Sequence, residues 1–135
     1  MNQSQAKSIS WFTIIGIIAA AVHYAIAVGL EWTQWVRASE ANIIGFLFAF
    51  PVSYFGHWTF SFSNQNAEHK QAFPRFFAVA LTGFIANQTL VISALKFTPL
   101  PFWLVLGVVM VIIAVSTYLL SRHWAFKSKS LKDKQ

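Results

Sequence analysis

The chain of 135 residues has no cysteine, which excludes disulfides, thiolate metal sites and thiol catalysis and leaves the redox compartment unmarked. Acids are nearly as scarce. Glu31, Glu40, Glu68 and Asp133 are the whole set, and all four fall outside the long apolar runs. No two are placed for general acid–base work, no Ser-His-Asp order stands out, and no metal-ligand spacing or Gly-rich phosphate loop occurs. The residues predict a protein that is no enzyme in itself and uses no cofactor and no metal. Charge of either sign is sparse: charged residues are 10% of the chain, against about 25% in a soluble domain. With 56% hydrophobic residues and a mean hydropathy of +0.54, such a surface cannot be kept in water. A net charge of +6 would suit nucleic acid, but the charges gather at the ends of the apolar runs, as membrane topology requires.

What is present is four runs long enough to cross a hydrocarbon core, which takes roughly 20 helical residues. They cover about residues 11–30, 42–60, 76–95 and 103–121. Without water to satisfy the backbone, each must be helical, and no period-two alternation suggests a barrel. The expected class is an all-α integral membrane protein with four transmembrane helices. Lys7, Lys70, Arg75, Arg122, Lys127, Lys129, Lys132 and Lys134 fall on one side, against Arg37 and Lys96 on the other. Eight against two predicts that both termini are cytoplasmic. Trp11, Trp58, Trp103 and Trp124 stand at run ends, where indoles favour the membrane interface. Lys7 followed by Ala25-Ile26-Ala27 resembles a cleavable signal peptide. The apolar run continues through that point to Leu30, which favours an uncleaved span.

His57-Trp58-Thr59-Phe60 and His123-Trp124-Ala125-Phe126 are one phrase written twice, 66 residues apart. Each copy closes an apolar run. Ser10-Trp11-Phe12 and Arg75-Phe76-Phe77 open the first and third runs at an offset of 65, which sets His23 opposite Gln88. A two-span unit returns to its own side of the membrane, so the copies should be parallel, related by a pseudo-two-fold axis along the membrane normal. The layout is a cytoplasmic stretch 1–10, a membrane domain 11–126 with halves at about 11–60 and 76–126, and a basic cytoplasmic tail 127–135. The polar stretch 61–72 reads as the joint between two helical hairpins. Pro74 suits the first turn of the third helix, Pro51 should bend the second, and Gly45, Gly83 and Gly107 should permit close helix approach.

Two groups of residues invite a functional reading. On the cytoplasmic rim, Arg75, Arg122, His123 and Lys127, with His57, Trp58 and Trp124, would cradle an anionic lipid head group. The rival reading is ordinary positive-inside charge with an aromatic belt. Within the membrane, His23, Asn87, Gln88 and Thr89 would form a polar track for a hydrophilic head group. Their rival reading is helix–helix bonding, at about 0.6 kcal/mol per bond.

The helix openings and endings, RFFAVALTGFIANQ at 75–88, VSYFGHWTFSF at 52–62 and STYLLSRHWAFK at 116–127, resemble the GtrA family of small four-span membrane proteins. The resemblance covers about residues 11–127 and carries over Arg75, His57, Trp58, Phe60, Arg122, Trp124 and Phe126. Gly56-His57 departs from the arginine often found at the first ending. The resemblance implies a role in moving polyprenyl-phosphate-linked sugars across the bacterial cytoplasmic membrane for envelope polysaccharides. On that reading Arg75, Arg122 and Lys127 engage phosphate, His57, His123 and the tryptophans frame the entrance, and His23, Asn87 and Gln88 meet sugar hydroxyls. A non-transporting partner of a membrane glycosyltransferase is the second expectation, and a small multidrug-type exporter the third. The third lacks the membrane carboxylate that such exchange needs. Lipids, a glycosyltransferase and a second copy of the chain are the expected partners.

Overall fold

The structure is a computed structural model that describes residues 3–61 and 69–125, with side chains left out at several positions, residues 117–125 among them. Among the described residues four α-helices follow one another: α1 (Gln3–Trp32), α2 (Ala38–Gly56), α3 (His69–Phe97) and α4 (Phe102–Ala125). A five-residue π-helical turn, His57–Ser61, extends α2. No strand occurs among the described residues. Among the described residues three segments, Ala6–Trp32, Ala38–Phe60 and Ala72–Phe97, are long and apolar enough to span a bilayer. The described apolar part of α4 is shorter, Phe102–Ser116, but its helical backbone continues to Ala125 over 24 residues, about 36 Å at 1.5 Å per residue.

The helices outrun the apolar stretches that predict them. At 30 residues, α1 is about 45 Å long, well beyond a hydrocarbon core of about 30 Å. Lys7, Lys70 and Arg75 therefore lie on helix, as does part of the expected joint at 61–72. Pro74 corrects the reading of the third helix. It is the sixth residue of α3, inside the helix, because the helix already begins at His69. Pro51 likewise lies inside an uninterrupted α2.

The connections are short, as expected of hairpins. At 33–37 the chain turns through Gln34 at φ 60°, a left-handed conformation rare outside glycine. Thr33 Oγ1 donates to the Leu30 carbonyl at 2.6 Å and Gln34 Nε2 to that of Glu31 at 2.9 Å, each adding to the backbone N–H bond that the same residue makes to that carbonyl at the helix end. At the start of α2, Arg37 N donates to Glu40 Oε2 at 2.9 Å, and the Arg37 guanidinium bonds Glu40 Oε1 at 2.6 Å. The Glu40 carboxylate raises the Arg37 pKa, first through that hydrogen bond and then through its charge.

Packing is closest between α1 and α2, and small residues are the reason. Ala19, Ala27, Ala41 and Ala49 are buried where these helices face each other. A Cβ on Gly45 would stand 2.7 Å from both His23 Cδ2 and the His23 carbonyl oxygen. Gly56 would place one 2.6 Å from Ile15 Cγ2. Gly83 meets nothing within 4 Å, and Gly107 only the Tyr24 ring at 3.6 Å. Of the three glycines expected to admit a neighbouring helix closely, only Gly45 must be glycine. Large apolar side chains such as Ile17 (64% exposed), Val79 (74%) and Val111 (63%) point outward. Lipid tails are as apolar as these side chains, so nothing drives them inward.

Along the bundle three layers follow one another. Near the two short connections, Val28, Val91, Phe102, Val105 and Leu106 form an apolar core. At the other end Phe50, Tyr54, Phe73, Phe76 and Phe77 form an aromatic cluster, with ring centroids 5.0–5.9 Å apart between α2 and α3. Between them lie buried polar groups and a cleft.

Candidate functional site

Three helices each send an amide or imidazole to one point. Asn42, fully buried on α2, is the hub. His23 Nε2 on α1 lies 2.8 Å from Asn42 Oδ1. Asn42 Nδ2 donates to Asn87 Oδ1 at 2.9 Å and to Gln88 Oε1 at 2.6 Å, both on α3. Gln88 Nε2 in turn donates to the Ser39 carbonyl at 3.0 Å. Each buried polar group so paired avoids a desolvation cost of about 1–3 kcal/mol, which accounts for this many amides in an apolar bundle. His23 sits nine residues before the end of α1 at Trp32, about 14 Å along the axis. The knot therefore lies nearer the short connections than the opposite ends of the helices.

Below the knot is a cleft of about 240 Å³ among all four helices. His23 and Asn87 close one end, Ser53 lies toward the other, and Phe46, Phe50 and Phe84 form aromatic walls. Phe46 and Phe84 stack with ring centroids 4.2 Å apart. From Ala80 to Asn87 on α3 the cleft runs about 10 Å. Among the described residues no Asp, Glu, Lys or Arg lines it. A larger groove of about 550 Å³ lies between α3 and α4, but among the described residues Thr82 and Ser116 are its only polar lining. Thr82 Oγ1 is turned to the Ala78 carbonyl of its own helix at 2.8 Å.

The residues picked out from sequence divide on this geometry. His23, Asn87 and Gln88 come together. Gln88 is occupied at both ends of its amide, whereas His23 and Asn87 line the cleft. Thr89 does not join them, since its hydroxyl donates to the Ile85 carbonyl at 2.8 Å on an exposed face. Asn42 was missed. It stood at the edge of an apolar run and read as a boundary residue, but α2 starts at Ala38 and carries it one turn inside. The Arg37 and Glu40 pair before it was the available signal for that earlier start.

On the expected rim, His57 is 4% exposed. Its ring stacks on Phe12 of α1 at 4.4 Å and tilts against Phe76 of α3 at 5.7 Å. Phe60 stacks on Trp11 at 4.8 Å. The first copy of the repeated phrase thus holds the start of α1 against the end of α2. Trp58 is half-buried near Tyr54, at 6.3 Å, and Arg75 is exposed. Arg122, His123 and Trp124 lie on the last turns of α4, where no side chain is described, and Lys127 lies outside the described residues. No group of three or more His, Asp or Glu that could hold a metal occurs among the described residues.

Long apolar helices, an outward apolar surface and a small-residue interface around buried amides define a polytopic helical membrane protein. The family model of the GtrA/DPMS transmembrane domain matches residues 11–126. The chain belongs to that family, which ties it to processes of polyprenyl-phosphate-linked sugars. No curated protein and no solved structure matches it.

Proposed function

We propose that the chain lets polyprenyl-phosphate-linked sugars cross the bacterial cytoplasmic membrane for modification of envelope polysaccharide. The observation that carries this reading is the cleft inside the bundle, with apolar walls and one polar end. It offers hydrogen bonds to a hydrophilic group in transit while the prenyl chain stays in lipid. Family membership supports the class of client. The positive-inside count supports a topology with both termini cytoplasmic and the two hairpins related in parallel, so that Arg75, Arg122 and Lys127 meet phosphate at the entrance. His57 contributes by packing, since it is held between Phe12 and Phe76. With no nucleotide-binding motif, transfer is facilitated and drawn forward by consumption on the far side. The test is reconstitution in liposomes with a labelled polyprenyl-phosphate sugar. Accelerated exchange between leaflets is expected, and a rate equal to that of protein-free liposomes would refute it.

The lightly buried outer face of α3, with Val79 and Ile85 exposed, favours a second reading as membrane partner of a glycosyltransferase or of a second copy. Substitutions there that abolish co-purification with the enzyme, while background lipid exchange equals that of empty liposomes, would select it.

A further inference from the structure

The hydrogen bonds around Asn42 settle the direction of every donor in the knot. The anchor is a backbone carbonyl, which can only accept. Ser39 O at 3.0 Å therefore requires Gln88 to present its NH₂, which turns Gln88 Oε1 toward Asn42. Asn42 must then present Nδ2 to that oxygen, and its second N–H reaches Asn87 Oδ1. Asn42 Oδ1 is left facing His23 Nε2 at 2.8 Å, so Nε2 carries the proton in the neutral ring. Reversing the amides together would set Gln88 Oε1 against the Ser39 carbonyl, two acceptors at hydrogen-bond distance. The carbonyl thus selects one arrangement through three side chains.

Two polar atoms remain unspent, His23 Nδ1, a bare lone pair, and Asn87 Nδ2, an amide donor. His23 is 8% and Asn87 6% exposed. Among the described residues no fully buried side-chain nitrogen or oxygen lacks a partner, so both atoms reach open surface, and the surface these residues line is the cleft. A hydroxyl both donates and accepts, and matches such a pair. A carboxylate or phosphate only accepts and would confront the Nδ1 lone pair. The cleft has the room of about eight waters at ~30 Å³ each, enough for one sugar ring. Phe46 and Phe84 can cover its C–H face.

We infer that the polar end of this cleft recognises uncharged hydroxyls, admitting a single neutral sugar ring and disfavouring an acidic one, with Asn42 and Gln88 as positioning residues that hold His23 in the accepting tautomer. The physiological meaning rests on the transport reading above, whereas the binding itself does not. The test uses the full chain in lipid nanodiscs with ¹⁵N-labelled histidine, the His23 signal being the one lost in His23→Phe. Hexyl β-glucoside and its acidic counterpart hexyl β-glucuronide are the probes.

The expected result is an Nε2–H tautomer for His23 and a shift of its Nδ1 resonance on adding the glucoside, with the glucuronide about tenfold weaker, the factor for ~1.4 kcal/mol. Gln88→Leu should leave the protein folded and mix the two tautomers. An Nδ1–H tautomer in the parent protein, an unshifted Nδ1 at saturating glucoside, or equal binding of the two glycosides would each overturn the inference. Failure of lipid exchange in liposomes with an intact glucoside response would instead remove the transport reading alone.

Discussion

Asn42 bonds His23, Asn87 and Gln88 at once, so its loss strands several buried polar groups. Asn42→Leu should destabilise the protein by about 3 kcal/mol or more, at roughly 1–3 kcal/mol per stranded group. Thr89→Val, which removes only a hydrogen bond within its own helix on an exposed face, should lie within about 0.5 kcal/mol of the parent. Thermal unfolding in detergent would separate the two, and equal shifts would refute the hub role. The glycines make a second pair. Gly45→Ala sets a methyl 2.7 Å from the His23 carbonyl and should cost about 1–3 kcal/mol by overpacking. Gly83→Ala enters open space and should be neutral or stabilising by up to about 1 kcal/mol. Legibility at this scale followed context. His23, Asn87 and Gln88 stood out because they interrupt apolar sequence, whereas Asn42 lay at a run's margin. Neither Gly45 nor Gly83 carries any local sign of what faces it.

Helices were the most legible level, because lipid leaves the backbone no other conformation. Their ends were less so. Hydropathy falls where the bilayer ends, but hydrogen bonding continues into the head groups, so α1 and α3 run past Lys7 and Arg75. Pro74 falls inside α3 for the same reason. The π-helical turn at His57–Ser61 was invisible to hydropathy. It carries His57 inward, beneath Phe12. His57→Ala should therefore loosen the start of α1. An aromatic pair contributes about 1 kcal/mol, so amide exchange over residues 6–16 should quicken about fivefold while that of α4 holds steady. Unchanged exchange in α1 would return His57 to the rim.

At the scale of the whole molecule, the absence of cysteine becomes a tool. Single cysteines at Gln34 and at Gln3 should label from opposite sides of intact cells, Gln34 from outside and Gln3 only after permeabilisation. The reverse pattern would invert the topology. Of the two basic residues assigned to the outer side, Arg37 is paired with Glu40 and Lys96 lies over the Phe97 ring at 5.6 Å. If the termini face the cytoplasm, Arg122→Ala should slow lipid exchange by about tenfold to a hundredfold, given roughly 1.5–3 kcal/mol for a hydrogen bond to a charged group. An unchanged rate would free Arg122 of that role. Composition and charge placement by themselves determined a helical membrane protein of four runs, since both follow from the cost of bare backbone and charge in hydrocarbon. Which polar residues meet, which glycine is indispensable and which way His23 presents its lone pair were decided only by the tertiary structure. Those are relations between helices, set by a carbonyl at Ser39 and a missing methyl at Gly45, and no single segment encodes them.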